Sequence, residues 1–314
     1  IMLNEPPLDL KKALDAVAAA SGLAFQHAEF TPKGEVAWCY KLTDRQNRAF
    51  LLRIAPAAPT VPRADIEKLR DLAFVITPVA IDGMFLQHEG YTLALYEFVT
   101  GATMWDRAPN AAQMEVAGRS FARLHQTART KGPFAHQEDF SLAILDDLPP
   151  CLDRLAASEP PDANVPAIQL KRKLSPHVAF IEGEYDKLLA HQAHIRQRGI
   201  PFVNCHGDPS PQNLIFADER MALIDLDDLI YAPKETDLLY FSDHPHFESF
   251  MRGYRAIVPH ATLDADIRAF YGRRWFLGEM TELCVEILDR PHSADEYAHY
   301  LDQVDDILED VGLV

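Results

Sequence analysis

Two acidic motifs between residues 200 and 227 constrain this chain more than any other feature. His206-Gly207-Asp208-Pro209-Ser210-Pro211-Gln212-Asn213 follows the apolar run Ile200–Val203. Twelve residues after Asn213 comes Asp225, in Ile224-Asp225-Leu226-Asp227, which follows the run Met221–Ile224. Each run has the length and composition of a short strand, and the residues between them read as strand, turn and return. A hairpin-like path of this kind gathers Asp208, Asn213 and Asp225 around one point.

That set has a chemistry. Phosphoryl transfer needs a carboxylate to take a hydroxyl proton, with an amide oxygen and a second carboxylate to hold magnesium on a nucleotide's phosphates. Asp208-x-x-x-x-Asn213 with a later aspartate has the spacing and order of the kinase catalytic loop and its metal-binding Asp. His-Gly-Asp stands here for His-Arg-Asp, and Ile-Asp-Leu-Asp for Asp-Phe-Gly. Those substitutions resemble the aminoglycoside phosphotransferase and choline kinase-like family of small-molecule kinases. Ala122-Arg123-Leu124-His125 and Ala232-Pro-Lys-Glu-Thr-Asp237 add to the likeness, and the latter is similar above all to the spectinomycin-modifying kind.

The order of elements agrees with that resemblance. Apolar residues at helical spacing mark a helix over 8–21, and strand texture fills 25–54. A helix is expected over Pro62–Leu72, with strands over Val75–Ile81 and Tyr91–Val99. Beyond residue 98 the pattern turns helical: Gln113–Thr127, Ser175–Arg198, Ala265–Arg290 and Glu296–Val311. The proline-rich stretch 149–166 reads as a loop. The resemblance therefore implies an α+β, bilobed protein-kinase-like fold. Residues 1–98 would form a small antiparallel-sheet nucleotide-binding lobe, and 99–314 a larger, mainly helical catalytic and acceptor-binding lobe.

Composition narrows the partners. With 30 basic against 47 acidic residues the net charge is −17, which argues against nucleic acid, because little would neutralise its phosphates. The same charge is compatible with a cationic substrate. The four cysteines are scattered, which suits a reducing compartment, and no apolar run of about 18 residues could span a bilayer. Both point to the cytoplasm.

The resemblance implies the following roles. Asp208 is the base, and Asn213 and Asp225 are the Mg2+ ligands, with ATP as co-substrate and GTP not distinguished from it. Asp227 reads as a further carboxylate or a loop cap, and His206 as a brace. Arg53 stands where kinases place the phosphate-binding lysine. Its acidic partner is sought at Asp65 or Glu67, about 200° apart on one helix, with Asp65 preferred by analogy. Lys33 and Gly34 lie in the turn that would cover the triphosphate, and Glu97 and Val99 in the connector that would meet the base. Glu279, Glu282 and Glu286 share one helix face near Trp275 and Phe276. That stripe is either a solvated face or a wall for the ammonium groups of an acceptor, with Glu235 and Asp237 as the next acids in line. The implied acceptor is an aminoglycoside or aminocyclitol antibiotic, with a metabolite of the choline, homoserine, methylthioribose or fructosamine type as alternative. A nucleotide-binding regulator without activity is the rival class.

Overall fold

The structure, a computed structural model, describes residues 5–32, 37–79, 83–157 and 165–313. The chain divides into two compact units, Ile1–Gln137 with Phe202–Thr262, and Glu138–Pro201 with Leu263–Val314.

In the first unit, β1 (Phe25–Thr31), β2 (Trp38–Asp44), β3 (Ala49–Ala55), β4 (Leu86–His88) and β5 (Tyr91–Glu97) form an antiparallel sheet of order β1-β2-β3-β5-β4. Strand periodicity sorts its side chains between two faces. Tyr40, Leu42, Phe50, Leu52, Ile54, Leu93 and Leu95 are buried together against Ala13 and Val17 of the helix Leu10–Ser21. That leaves the odd-numbered positions of β2 and β3, Cys39 and Arg53 among them, on the opposite face, where the two are register partners. Burial of one face thus decides where Arg53 is presented.

Five short strands follow: β6 (Ala102–Thr103), β7 (Phe202–Cys205), β8 (Leu214–Ala217), β9 (Arg220–Leu223) and β10 (Ile230–Pro233). They make a three-stranded sheet of order β6-β8-β9 and a β7-β10 pair. Beside them the helices Ala111–Lys131 and Phe247–Arg255 approach backbone to backbone through two glycines. A Cβ on Gly118 would lie 1.9 Å from the Phe250 carbonyl oxygen, and one on Gly253 would lie 2.0 Å from that of Glu115.

The second unit is helical, with Leu148–Ala156, Val165–Leu174, Val178–Ile195, Ala265–Asp289 and Ala294–Asp310. Side-chain caps set two of the starts. Asp264 accepts from the amides of Asp266 and Ile267, and Ser293 forms a reciprocal capping box with Glu296. No helix among the described residues is long and apolar enough to cross a membrane.

Three sequence expectations are corrected. The segment after Val75 is not a strand: the Ile76 amide donates to Leu223 and the Val79 amide to Leu95, so it passes between two sheets rather than along one. Residues 80–82 lie outside the described residues. The helix expected over 62–72 spans only Arg63–Glu67 and continues as turns to Leu72. Of the loop expected over 149–166, residues 149–156 lie in the helix Leu148–Ala156 and 165–166 in the helix Val165–Leu174, while 158–164 lie outside the described residues. Pro149 and Pro150 occupy the first turn of Leu148–Ala156, where an amide hydrogen has no helical acceptor to lose. Leu148, Cys151, Leu152 and Leu155 fill one buried face of that helix.

Gly118→Ala should force the two glycine-paired helices apart. A loss of about 3 kcal/mol is expected, the upper end for overpacking a core, read as a lowered urea midpoint. An unchanged midpoint would show that the crossing yields easily.

Candidate active site

The catalytic-type loop starts where β7 ends. Pairing of β7 with β10 registers Cys205 opposite Ile230 and brings the two strand ends together. Gly207, at φ +92°, takes the turn out of β7, and any Cβ there would sit 2.0 Å from the Asp228 carbonyl oxygen. Glycine is required at this step both by the left-handed backbone and by that approach.

A buried carboxylate fixes the loop from below. Asp237 accepts the amides of His206 and Gly207, each at 2.9 Å, and its Oδ2 lies 2.9 Å from His125 Nε2. His125 Nδ1 lies 2.7 Å from the Tyr254 hydroxyl, and burial pushes that phenol's pKa up, keeping it a donor. The bonds are satisfied together when Tyr254 donates to Nδ1 and Nε2–H donates to Asp237. His125, Cys205 and Asp237 also offer three potential metal ligands within 4.8 Å of one another. Hydrogen bonding already accounts for them. Both imidazole nitrogens are engaged, and the Cys205 thiol, pushed well up by burial, points at the Pro233 and Ala232 carbonyls. Asp237 is fully buried, which removes it from the acids available to a substrate. Glu235 is buried too, with its carboxylate on Lys234.

The β8-β9 hairpin brings the remaining motif residues in. Leu214 registers with Leu223, and the Ile224 amide donates to the Asn213 carbonyl at 3.0 Å. Asn213 Nδ2 donates to both the main-chain oxygen and Oδ2 of Asp208, each at 3.0 Å, and Ser210 Oγ donates to the same Oδ2 at 3.3 Å. The ring of His206 spans the gap, with Nε2 3.0 Å from the Ile224 carbonyl oxygen. Asp225 itself adopts φ 61°, a left-handed conformation that costs free energy in a non-glycine residue.

Arg53 reaches this cluster from β3. Its Nη1 lies 3.8 Å from Asp225 Oδ1 and its Nη2 2.5 Å from Asp227 Oδ2. Tyr96 of β5 lies beside it, and burial pushes that phenol to about 12. Burial raises the Asp225 carboxyl in spite of Arg53, with Asp227 adding to the rise. The neighbouring Asp228 is raised likewise, by burial first and then by the charges of Asp208, Asp225 and Asp227. Two carboxylates thus face the Arg53 guanidinium, with Asp208 and Asp228 in the same acidic group. Such a set, with the amide oxygen of Asn213, includes oxygen donors of the kind a hard divalent cation takes.

The other expected residues fall as follows. Asp65 does not pair with Arg53. It is buried, with Lys68 Nζ at 2.7 Å and the Ala135 amide at 2.8 Å occupying its two oxygens. Glu67 turns instead to Arg63 and Arg70. Glu97 is exposed at the end of β5 and Val99 is half-buried two residues on. Between them the Phe98 amide donates to Ala49, so the ladder runs on into the connector. Lys33 and Gly34 lie outside the described residues.

In the second unit, the helix Ala265–Asp289 carries Trp275, 52% exposed, half-buried Glu279 and exposed Glu282. Burial and then the Glu282 charge raise the Glu279 carboxyl. Glu286 leaves the stripe, being buried and paired with Arg290 and His292. Sequence reasoning missed Asp228 and the bracing role of Asp237.

By structure the chain is similar to spectinomycin phosphotransferase APH(9)-Ia in complex with ADP and spectinomycin. The TM-score is 0.80 at 16% identity, over 98% of this chain and 100% of the other. It is also similar to amicoumacin kinase hAmiN, with a TM-score of 0.63 at 19% identity over 95% and 94% of the two chains. These likenesses establish an α+β protein-kinase-like phosphotransferase fold. By sequence it is 30% identical over 174 residues to "Stress response kinase A" of Escherichia coli strain K12 and to "Serine/threonine protein kinase RdoA" of Salmonella typhimurium strain LT2. Each match covers 55% of this chain and 48% of the relative, so the chain spans about half the length of the curated relatives it matches. Residues 39–276, from β2 into the helix that carries Trp275, match the phosphotransferase enzyme family APH, and the chain belongs to that family.

Proposed function

We propose that this chain transfers the γ-phosphoryl group of ATP to a hydroxyl of a small cationic molecule of the aminoglycoside or aminocyclitol type. The observation that carries the reading is the convergence of Asp208, Asn213 and Asp225 on one loop-and-hairpin unit, with Arg53 against Asp225. In this reading Asp208 accepts the proton as the acceptor oxygen attacks. Asn213 fixes the Asp208 carboxylate through its Nδ2 and offers its amide oxygen to magnesium alongside Asp225. Magnesium, when bound, neutralises charge on the transferred phosphates. Arg53 contributes a forked donor set suited to phosphate oxygens.

The cationic acceptor is supported by two features. One is the helix face that carries exposed Trp275, half-buried Glu279 and exposed Glu282 at i, i+4 and i+7, an aromatic residue and carboxylates of the sort that hold ammonium groups. The other is the spectinomycin and the "Ami" ligand present in the similar structures. A second reading, with a protein serine or threonine hydroxyl as acceptor, is favoured by the likeness to the relative named as a serine/threonine kinase.

A coupled assay of ADP release separates these readings, run over aminoglycosides, aminocyclitols and amino alcohols with myelin basic protein as a further arm. Stimulation by cationic small molecules is expected. Stimulation by the protein alone would favour the second reading, and nucleotide binding without turnover in any arm would favour a regulator.

Asp225→Ala should abolish transfer while the far-ultraviolet circular dichroism stays unchanged. Wild-type turnover at ordinary magnesium would remove Asp225 from the site. Asp208→Asn should keep nucleotide affinity and lower turnover by about 10²–10⁴, the usual worth of a general base. A loss confined to nucleotide affinity would assign Asp208 to binding instead.

On a small-molecule acceptor identified in that assay, Glu279→Gln with Glu282→Gln should raise the acceptor KM about two- to fivefold per carboxylate, as partly exposed ion pairs do. The KM for nucleotide should stay constant. Wild-type kinetics in the double variant would return both residues to the solvent.

A further inference from the structure

Strand register carries one exposed aromatic, outside the recognised motifs, onto the catalytic-type loop. β6 pairs antiparallel with β8, Ala102 with Phe216 and Thr103 with Ile215. The Met104 amide then donates to the Leu214 carbonyl at 2.9 Å, and the Trp105 amide to that of Pro211 at 3.3 Å. The ladder therefore delivers Trp105 to the segment between Asp208 and Asn213. Gly101 fixes the approach, since a Cβ there would lie 2.6 Å from the Phe216 carbonyl oxygen.

The turn beyond Trp105 is closed as well. Thr103 Oγ1 donates to Asp106 Oδ2 at 2.8 Å and accepts the Asp106 amide at 3.0 Å, and the Arg107 amide donates to the Thr103 carbonyl at 3.1 Å. Trp105 thus has its backbone held on both sides while its side chain stays in water. At 76% it is the most exposed large apolar residue among the described residues. An indole on a fixed backbone has little freedom left to lose when something covers it, and its apolar area favours being covered. Its face is also the best aromatic partner for an organic cation, and a net charge of −17 draws cations to the chain.

We propose that Trp105 is an acceptor-binding residue that sets specificity: its indole is the platform on which an alkylammonium or aminosugar face of the acceptor stacks, beside the loop that carries Asp208. The inference rests on the reading of the site as a phosphotransferase for small cationic acceptors. A stacking contact of this kind binds ground state and transition state alike, so its loss belongs in KM and not in kcat.

The test uses the full chain and three probes: spectinomycin, hygromycin B and choline. Each is titrated calorimetrically, with MgADP present, into wild type, Trp105→Ala and Trp105→Phe, and ADP release from Mg-ATP is followed with the same probes. At least one probe should bind the wild type and stimulate release. For that probe Trp105→Ala should raise Kd and KM about tenfold, the scale of a desolvated cation–π contact, at the wild-type kcat. Trp105→Phe keeps a weaker aromatic face and should recover most of that loss. Far-ultraviolet circular dichroism checks the fold, and if Trp105→Ala loses it, a rise of about threefold in Trp105→Phe decides on the same scale.

Wild-type Kd and KM in the variants, for a probe that stimulates release, would overturn the inference and leave the phosphotransferase reading in place. A loss confined to MgADP affinity would assign the indole to the nucleotide and overturn it equally. Release that no probe stimulates would sink the cationic-acceptor reading, and the inference with it.

Discussion

The carboxylate of Asp237 is the point on which the site hangs. A buried ion is tolerable only when its lone pairs are answered by donors, and here two consecutive backbone amides and one imidazole answer them. Those amides belong to His206 and Gly207, immediately before Asp208, so satisfying one buried charge fixes the start of the loop. His125 and Tyr254, which complete the network, stand on the two helices that meet at Gly118 and Gly253. A close helix crossing, remote in sequence from the motif, thereby sets the depth at which the imidazole meets Asp237. Packing, polar satisfaction and the placing of Asp208 form one chain of causes.

The hairpin supplies the second coordinate. Registering Leu214 with Leu223 carries Asn213 and Asp225 to the same end of the ladder, and the Ile224 amide closes it on the Asn213 carbonyl. Asp225 then departs from the strand in a left-handed conformation. Such a conformation in an aspartate persists only where surrounding contacts over-determine it, and the pairing before it together with Arg53 beside it does so.

Much of this was legible in the sequence because it depends on local patterning. The hairpin, the loop that joins it to β7, and the alternation that presents Arg53 on the face opposite the core all follow from short-range spacing. What escaped depends on partners far apart along the chain. Spacing offers Asp65 and Glu67 as partners of Arg53, yet Asp65 answers Lys68 and the Ala135 amide, and Arg53 answers Asp225 and Asp227. Helical phase says which way a residue faces, not which of several charges it meets. Asp237 looked like an acid for a substrate because nothing local marks a carboxylate as buried. Prolines at 149 and 150 read locally as a loop, yet a first helical turn accommodates them. Glu286 shares a helix face with Glu279 and Glu282, yet the fold turns Arg290 and His292 onto it.

The arginine on β3 follows from the charge around it. Asp208, Asp225, Asp227 and Asp228 crowd one edge of the first unit, and the upward shifts of Asp225 and Asp228 register their mutual repulsion as well as burial. An ammonium group would meet such a cluster at a single point. A guanidinium has a planar fork of donors and weaker hydration, and Arg53 uses it to meet two carboxylates at once through separate nitrogens, Nη1 toward Asp225 and Nη2 on Asp227. One positive charge against these carboxylates still leaves the edge acidic. The same fork that spans Asp225 and Asp227 matches the spacing of phosphate oxygens. In place of the usual lysine, the arginine keeps a positive charge and adds a clamp on the acidic strand end.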